Sequence, residues 1–378
     1  FLVLFLGTLS AFGPFVTDLY LPALPTMSSY FNSSTSTIQL TLTGSMVGLA
    51  LGQLLIGPIS DKYGRKNPLI ISLIVYLIST IAIILFPNVY AMIVLRFIQG
   101  VSSAGAVVIS RAISTDLYRG RELAAFFALL MAVNGLAPIL SPILGSVLLE
   151  LTDWRGIFIT LALIGVILLA VSFKFNESLA IEKRLDLPIT KTYYSIVHVA
   201  KNRLFFALVI IQGFALAAMF AYIAASPFIL QTHYSLSPLM YSLCFGLNGF
   251  AIVLGSKNAG NFKEKISIKL GLSLMLLVSI YLAVALTLTL PFLFIEVGFF
   301  LLLLGLGFIL PAGSAIAMSL ERERAGSASA FFGFVPFFLG GVVSPLVGIG
   351  NIFHSSAIAI VVCSAISFVT FKLVEKKI

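Results

Sequence analysis

The amino-acid sequence predicts an all-α membrane protein whose twelve transmembrane helices form two pseudo-symmetric six-helix bundles. Three observations lead to this fold class: the composition, the length of the apolar runs and an internal repeat. Of the 378 residues, 60% are hydrophobic and only 10% are charged. Soluble domains carry about 45–50% apolar and about 25% charged residues. This chain has too little polar surface to face water throughout, so its main solvent must be lipid.

Twelve apolar runs divide the sequence, and each has a length close to the 20 or so residues that a helix needs to cross a bilayer. Six precede the polar stretch 176–203 and six follow it. We therefore predict an N-terminal bundle over residues 1–175, a cytoplasmic linker over 176–203 and a C-terminal bundle over 204–378. We number the runs as spans 1 to 12; they lie near residues 1–30, 36–60, 68–86, 89–114, 122–150, 156–175, 204–231, 237–256, 267–286, 291–318, 325–350 and 354–373.

The basic residues predict how the spans are threaded through the membrane. Every Lys and Arg except Arg96 and Arg155 lies near the loops that follow even-numbered spans, near the linker or near the C-terminus. Loops rich in Lys and Arg stay in the cytoplasm, which places the linker and both termini there. The net charge of +9 therefore reports membrane topology and gives no reason to expect a nucleic-acid partner.

An internal repeat supports the division into two halves. A single shift of 205 residues aligns positions in two distant pairs of spans, 1 with 7 and 5 with 11. The matched positions are Phe15 with Phe220, Pro22 with Pro227, Gly135 with Gly340 and Gly145 with Gly350.

Two ionisable residues lie deep within apolar spans and at similar predicted depth: Asp18 in span 1 and Arg96 in span 4. Ionisable groups inside a membrane are costly and usually face a cavity or a partner. We predict that Asp18 takes up and releases a proton, and that Arg96 contacts Asp18 or its helix when Asp18 is ionised. The alternatives are an acid paired permanently with Arg96, and an arginine that only bonds backbone carbonyls.

Other polar and aromatic residues within the spans are candidates for binding a small molecule. Amide side chains in membrane helices usually face protein or water, and aromatic rings suit planar or cationic ligands. A further acid, Glu296, lies near the outer end of span 10, where we expect it to reach water. The candidate substrate-binding residues are Tyr20, Gln53, Gln99, Asn134, Gln212, Tyr222, Asn248 and Phe334.

The sequence shows no constellation of catalytic or metal-binding residues. The phosphate-binding motif Gly-x-x-x-x-Gly-Lys-Ser/Thr is absent, which argues against ATP as the energy source within this chain. Cys244 and Cys363 lie far apart in apolar runs, and the three histidines form no cluster. We therefore expect no enzyme activity, no cofactor and no metal. A channel is an alternative to a transporter, but the two-half repeat favours alternating access.

Five short motifs carry a family resemblance. Residues 57–66 read GPISDKYGRK, residues 95–100 read LRFIQG and residues 135–145 read GLAPILSPILG. Residues 17–25 read TDLYLPALP, and residues 154–158 read WRGIF. On these motifs the chain resembles the major facilitator superfamily and, within it, the 12-span drug–proton antiporters of the bicyclomycin-resistance type.

The resemblance implies a gating role for two groups of residues. The loop after span 2 and the end of span 4 would form a cytoplasmic charge latch that holds the outward-facing state, with members Gly57, Asp61, Gly64, Arg65 and Asp116. Span 5 would kink and seal against a neighbour, because Pro removes backbone hydrogen bonds and Gly permits close approach. Its members are Gly135, Pro138, Pro142 and Gly145.

The resemblance also implies a function, namely proton-coupled export of drugs or other small molecules by alternating access in a bacterial inner membrane. The expected partners are a small-molecule substrate, protons and membrane lipids, and the expected state is a monomer. A dedicated exporter of one metabolite, such as a siderophore, peptide or amino acid, is the alternative with the same fold. An uptake symporter or a channel fits less well, because the span 5 motif is associated with antiport in the family.

Overall fold

The computed structural model describes residues 2–184, 189–321 and 324–377. Every regular element in these ranges is helical, and 12 helical segments are long and apolar enough to cross a membrane. The predicted fold class is therefore confirmed. The α-helices are α1 (Leu2–Asp18), α2 (Leu24–Tyr30), α3 (Thr35–Tyr63), α4 (Lys66–Leu85), α5 (Val89–Leu117), α6 (Gly120–Leu151), α7 (Trp154–Lys174), α8 (Ile189–Ala200), α9 (Arg203–Pro227), α10 (Pro238–Ala259), α11 (Glu264–Thr287), α12 (Phe292–Leu320), α13 (Ala325–Leu346) and α14 (Ile352–Val374).

Two of the spans contain a change of helix type. In the first span, a 3₁₀ turn over Leu21–Ala23 joins α1 to α2, and Pro22 stands at its start. Pro22 has no N–H to donate to the carbonyl oxygen of Asp18, four residues earlier, which explains why α1 ends at Asp18. In the seventh span, α9 continues as a π-helical segment over Phe228–His233, directly after Pro227.

The helices form two compact units. The first turns of α3 belong to the second unit, where Gln39 donates from Nε2 to the carbonyl oxygen of Ala224 at 2.9 Å. The bounds predicted for the linker stay a prediction, because residues 185–188 lie outside the described ranges; helix α8 lies within that stretch. The first unit consists of Phe1–Phe31 and Gly44–Thr192, and the second of Asn32–Thr43 and Tyr193–Ile378.

Five of the membrane-spanning helices begin at a side chain that accepts hydrogen bonds from the first free backbone N–H groups. These residues are Asn88, Asp153, Asn202, Ser237 and Asn351. A cap of this kind stabilises a helix by about 1 kcal/mol, because the first four N–H groups have no partner within the helix. These caps explain why the five helices begin at these residues.

Glycines allow close helix contacts within each unit. A Cβ added to Gly48 of α3 would lie 2.2 Å from the carbonyl oxygen of Phe97 in α5. In the second unit, a Cβ on Gly307 of α12 would lie 2.4 Å from the carbonyl oxygen of Ile252 in α10. Backbones can approach this closely only where no side chain intervenes. In the first unit this contact fixes α5, which carries Arg96.

Candidate functional site

Arg96 lies at the centre of a buried polar network in the first unit, with a side chain that is 0% exposed. Its Nη1 donates to the carbonyl oxygen of Val16 at 2.9 Å and to Oε1 of Gln99 at 2.6 Å. The guanidinium also lies over the ring of Tyr20, 4.2 Å from the ring centroid. Val16 belongs to the last turn of α1, whose carbonyl groups lack helical partners and carry partial negative charge. Arg96 therefore caps the C-terminal end of α1.

Asp18 is the last residue of α1 and is half-buried. It feels the charge of Arg96, yet no nitrogen of Arg96 comes within 4.0 Å of an Asp18 oxygen in the described part of the chain. Two groups of Arg96, Nε and Nη2, are buried and have no hydrogen-bond partner among the described residues. The structure thus brings Arg96 to the helix of Asp18 without an ion pair. The proton-coupling role of both residues stays a prediction.

A second set of hydrogen bonds orients Gln99. Its Nε2 donates to Oγ1 of Thr80 at 2.7 Å, and that hydroxyl donates to the carbonyl oxygen of Tyr76 at 2.7 Å. The amide oxygen of Gln99 is thereby held towards Arg96. Thr80 was not among the residues predicted from the sequence, because a threonine within an apolar run carries no distinctive pattern.

Helix α6 contacts the Asp18 region through Gly145. A Cβ added there would lie 1.9 Å from the carbonyl oxygen of Leu19. Asn134 of the same helix donates from Nδ2 to Oγ of Ser10 in α1 at 2.5 Å. Gly135, by contrast, has open space around its Cα. Pro138 and Pro142 lie between the two glycines, inside the helix. The gating role of these four residues stays a prediction.

Replacing Gly145 with Ala is expected to lower the free energy of unfolding by about 3 kcal/mol, because a methyl group cannot fit beside a backbone carbonyl and forced overpacking costs on this order. Gly135→Ala is the matched control, since its added methyl group meets no atom within 4 Å. Thermal unfolding in detergent measures both variants. A Gly145→Ala midpoint equal to that of Gly135→Ala would contradict the close contact with Leu19.

A charge cluster joins the turn between α3 and α4 to the end of α5. Arg65 donates from Nε to Oδ2 of Asp116 at 2.9 Å, and from Nη1 to Oδ1 of Asp61 and to Oγ of Ser60. Burial acts to lower the pKa of Arg65, but its hydrogen bonds and charge contacts with Asp116 and Asp61 outweigh burial and raise the pKa above its usual value. Three predicted latch residues therefore form one ion-pair cluster. Gly57, in α3, has only ordinary contacts.

Glu177 completes this cluster and was not predicted from the sequence. Its carboxylate accepts from the backbone N–H of Arg65 at 2.9 Å and of Lys66 at 3.2 Å. Gly64 has a φ of +91°, and a Cβ there would lie 2.4 Å from Oε2 of Glu177. The turn therefore requires glycine at this position. Although burial acts to raise the pKa of Glu177, hydrogen bonds from the backbone N–H groups of Arg65, Leu179 and Lys66 hold it below its usual value.

Glu177→Gln is expected to lower the free energy of unfolding by about 1 kcal/mol at neutral pH and by nothing in acid. The folded-state pKa lies below the unfolded value, so the stabilisation is complete above the unfolded pKa and is lost as the pH falls through the folded pKa. Thermal unfolding across pH measures this. Glu182→Gln, at an exposed residue nearby, is the control and should have no effect. A difference in stability between wild type and Glu177→Gln that persists in acid would exclude the ionised carboxylate as its source.

A second buried polar group lies in the second unit. Glu296 of α12 is 5% exposed, although we expected it to reach water. Its Oε1 accepts from Nδ2 of Asn248 at 2.9 Å, and the same nitrogen lies 3.0 Å from the hydroxyl of Tyr222. The side chain turns towards α9 and α10 because it projects from the face of α12 that packs on them. The run of α12 is apolar on all sides, so no pattern in it indicates this orientation.

The predicted substrate-binding residues divide evenly between the two units. Gln53, Asn134 and Phe334 are half-buried, whereas the others are buried or nearly so. Gln212 lies 3.5 Å from the hydroxyl of Ser314, and Phe334 stacks on Phe338 with ring centroids 5.4 Å apart. The structure contains no ligand, so the substrate role of all eight stays a prediction. They are Tyr20, Gln53, Gln99 and Asn134 in the first unit, and Gln212, Tyr222, Asn248 and Phe334 in the second.

A lateral groove of about 400 Å³ lies elsewhere in the first unit, between α3, α4 and α5. Its walls are mainly apolar, with Ile59, Ile71 and Val75 on its surface. None of the predicted substrate-binding residues lines it. The groove is therefore distinct from the network around Arg96.

The sequence matches one family model, described as Major Facilitator Superfamily, over residues 3–345. A relative from Bacillus subtilis, "Uncharacterized MFS-type transporter YdgK", is 36% identical over 357 residues, covering 93% of this chain and 89% of that protein. The "Bicyclomycin resistance protein homolog" of Haemophilus influenzae is 28% identical over 265 residues, 70% of this chain and 67% of that protein. A "Multidrug transporter MdfA" from Yersinia pestis is 26% identical over 255 residues, 66% and 61% respectively.

Solved structures share the fold at low sequence identity. A bacterial homolog of the human lysosomal transporter Spinster, inward-facing and unoccupied, aligns with a TM-score of 0.77 at 14% identity, over 98% of this chain and 96% of that one. The human organic anion transporter MFSD10 aligns with a TM-score of 0.67 at 19% identity, over 98% and 97%. At these identities the likeness concerns the fold alone.

Proposed function

Because the chain belongs to the Major Facilitator Superfamily, a family of membrane transporters, we propose that it exports small molecules in exchange for protons by alternating access. The observation that carries the proposal is the arrangement of Asp18 and Arg96. A half-buried carboxyl group lies at the end of α1, in the electrostatic field of a buried guanidinium with two donor nitrogens that have no partner among the described residues. The names of several relatives, which include resistance to bicyclomycin and multidrug transport, favour export.

The geometry allows Asp18 two stable states. When Asp18 carries a proton it is neutral, and Arg96 remains bound to Val16 and Gln99 as the structure has it. When Asp18 loses the proton, the free Nε and Nη2 groups of Arg96 can donate to the carboxylate, and opposite charges attract strongly in surroundings of low polarity. A small shift of α1 against α5 would convert one state into the other. Proton binding would thereby be tied to the position of a helix.

In the proposed cycle, substrate enters from the cytoplasmic side and displaces the proton from Asp18. Access then changes to the opposite side, where the substrate leaves and a proton binds. Each proton that moves inward through 100 mV releases about 2.3 kcal/mol. A tenfold difference in substrate concentration costs about 1.4 kcal/mol, so the energy from one proton sustains roughly a fifty-fold substrate gradient. One or two protons per cycle are therefore sufficient.

We assign the charge cluster of Arg65, Asp61 and Asp116 to the control of access. Its hydrogen bonds hold the α3–α4 turn against the end of α5, and such a cluster can break and re-form as helices move. The cluster lies among the Lys- and Arg-rich loops, which supports a cytoplasmic position. On the same argument we place both termini in the cytoplasm, the protein in the bacterial inner membrane, and a monomer as the working unit.

The experiment that tests this function is transport in proteoliposomes with an imposed pH gradient. Vesicles with an acidic interior are offered a panel of bicyclomycin, chloramphenicol, cationic dyes, siderophores, peptides and amino acids. Antiport predicts that a substrate accumulates inside while the interior becomes less acidic. Transport of many compounds would indicate a broad exporter. Transport of a single compound would indicate a dedicated exporter. Substrate accumulation only in vesicles with an alkaline interior would indicate a symporter. Substrate that equilibrates across the membrane regardless of the pH gradient would indicate a facilitator.

A further inference from the structure

The second unit contains a buried acid that the cycle above does not use. Glu296 of α12, Asn248 of α10 and Tyr222 of α9 are 5%, 0% and 1% exposed. The amide nitrogen of Asn248 lies 2.9 Å from Oε1 of Glu296 and 3.0 Å from the hydroxyl oxygen of Tyr222. Three helices thus meet at one hydrogen-bonded cluster, which we call the Glu296 cluster.

Two acceptor atoms in the cluster are left without a partner. Oε2 of Glu296 and Oδ1 of Asn248 are buried and have no hydrogen bond within the described ranges. Aromatic rings surround the cluster: the ring of Tyr222 lies 4.7 Å from that of Phe299 and 5.9 Å from that of Phe245. Unsatisfied buried oxygens in apolar surroundings are costly, so they indicate a site whose occupant is a proton donor or a cation.

No basic group in the described part of the chain compensates the carboxylate of Glu296. Among the described residues, Glu296 has no ion pair, and the amide of Asn248 is its only side-chain hydrogen-bond donor. The exposed histidines of this unit are His198, in the last turn of α8, and His233 and His354, which lie in or beside the connections between helices. Helices packed against α12 also carry Tyr222 on α9, Tyr241 and Cys244 on α10, and Tyr281 on α11, whose hydroxyl donates to the carbonyl oxygen of Phe294. The charged residues of these helices lie at the ends away from Glu296; they are Arg203, Lys257, Glu264, Lys265 and Lys269.

We propose that Glu296 is a second proton-binding site, which takes a proton from water onto its carboxylate and returns it without any other bond being made or broken. The use of this proton in transport depends on the function proposed above, but the binding of the proton does not. Asp18 and Glu296 lie in different units, so both units would carry a proton-binding carboxyl group.

The amide of Asn248 can hydrogen-bond both the ionised and the protonated form of Glu296. In the structure its Nδ2 donates to Oε1, as an ionised carboxylate requires. Rotation of the amide by half a turn puts Oδ1 where Nδ2 lies, between Glu296 and Tyr222. That oxygen then accepts from the protonated carboxyl group and from the tyrosine hydroxyl, since Asn presents an acceptor and a donor on the same carbon. Loss or gain of one proton is therefore matched by one side-chain rotation.

A metal ion fits the cluster poorly. Calcium takes about six to eight oxygen ligands, and magnesium requires a nearly ideal octahedron. The cluster offers two free acceptor oxygens, and the part of the chain that the structure describes contains no group of three or more His, Cys, Asp or Glu residues suited to a metal. A proton needs a single acceptor, which makes it the occupant that the geometry fits.

Infrared difference spectroscopy of the purified protein tests the proposal without any transport substrate. The probe is the pH alone: a protonated carboxyl group has a carbonyl stretching band that an ionised one lacks. We expect wild-type protein to lose such a band as the pH is raised, and Glu296→Gln to lack one of the bands that titrate. Glu264→Gln, at an exposed residue that starts α11, is the matched control: it loses only its own carboxyl group and should keep the band that is missing from Glu296→Gln.

Tyr222→Phe provides a second variant that keeps the carboxyl group and removes only one hydroxyl. The Glu296 band should remain in this variant but at a shifted position, because Asn248, which bonds Glu296, has lost its contact with the tyrosine hydroxyl. Wild-type and Glu296→Gln spectra that coincide in folded protein would overturn the proposal, as would a Glu296 band that never titrates while the protein stays folded. Either result would leave the role of Asp18 untouched, since Asp18→Asn removes a different band.

Discussion

Asp18→Asn is expected to abolish uphill transport while substrate exchange down its own gradient continues. The amide keeps the size and hydrogen-bonding capacity of a protonated acid but cannot release a proton. Substrate would then equilibrate freely, and the roughly tenfold accumulation that one exchanged proton sustains per unit of pH difference would fall to none. Accumulation in proteoliposomes with an acidic interior measures the effect.

Asp153→Asn is the matched control for this substitution. Asp153 has an exposed side chain that begins α7, and asparagine caps a helix as well as aspartate does. The control should accumulate substrate to the wild-type level. Undiminished accumulation by Asp18→Asn would mean that the driving proton binds elsewhere, and the Glu296 cluster would become the leading site.

Arg96→Met is expected to lower the free energy of unfolding by on the order of 3 kcal/mol and to remove proton coupling as well. Methionine fills much of the space, but it leaves the carbonyl oxygen of Val16 and the amide oxygen of Gln99 without their donor. Each buried acceptor that loses its partner costs about 1–3 kcal/mol. Thermal unfolding in detergent and transport in proteoliposomes measure the two effects.

Two further variants separate the charge of Arg96 from its geometry. Arg96→Lys keeps the positive charge but loses the planar fork, so we expect intermediate stability and impaired coupling. Arg119→Met removes an exposed arginine between α5 and α6, where water can replace its hydrogen bond to the carbonyl oxygen of Thr115, and should leave both properties nearly unchanged. An Arg96→Met protein as stable as wild type would contradict the capping of α1.

The sequence predicted the fold well because the relevant physics is local. Length and hydrophobicity are sufficient to recognise a helix that crosses a membrane, and twelve apolar runs became twelve helical segments. The family resemblance also implied that Arg65 meets Asp61 and Asp116, and the structure joins these three residues by ion pairs. The assignment of the first turns of α3 to the second unit was not predictable, since it depends on contacts such as that of Gln39 with Ala224.

The site was predicted less completely, because it depends on which way each helix faces. Equal depth suggested that Arg96 lies near Asp18. Only the structure shows that Arg96 donates to the carbonyl oxygen of Val16 and that its Nε and Nη2 have no partner among the described residues. Glu296 was expected in water because its position along the helix permits this, whereas its direction around the helix prevents it. Glu177 belongs to a polar stretch in which no pattern distinguishes it.

Counting the protons released when substrate binds tests the role of Asp18 most directly. Purified protein in weakly buffered detergent solution, with a pH-sensitive dye, is titrated with a substrate found in the vesicle assay. We predict that wild-type protein releases protons on binding, and that Asp18→Asn binds the same substrate and releases fewer, by one per molecule. Equal release from both proteins would contradict the exchange of substrate for a proton at Asp18.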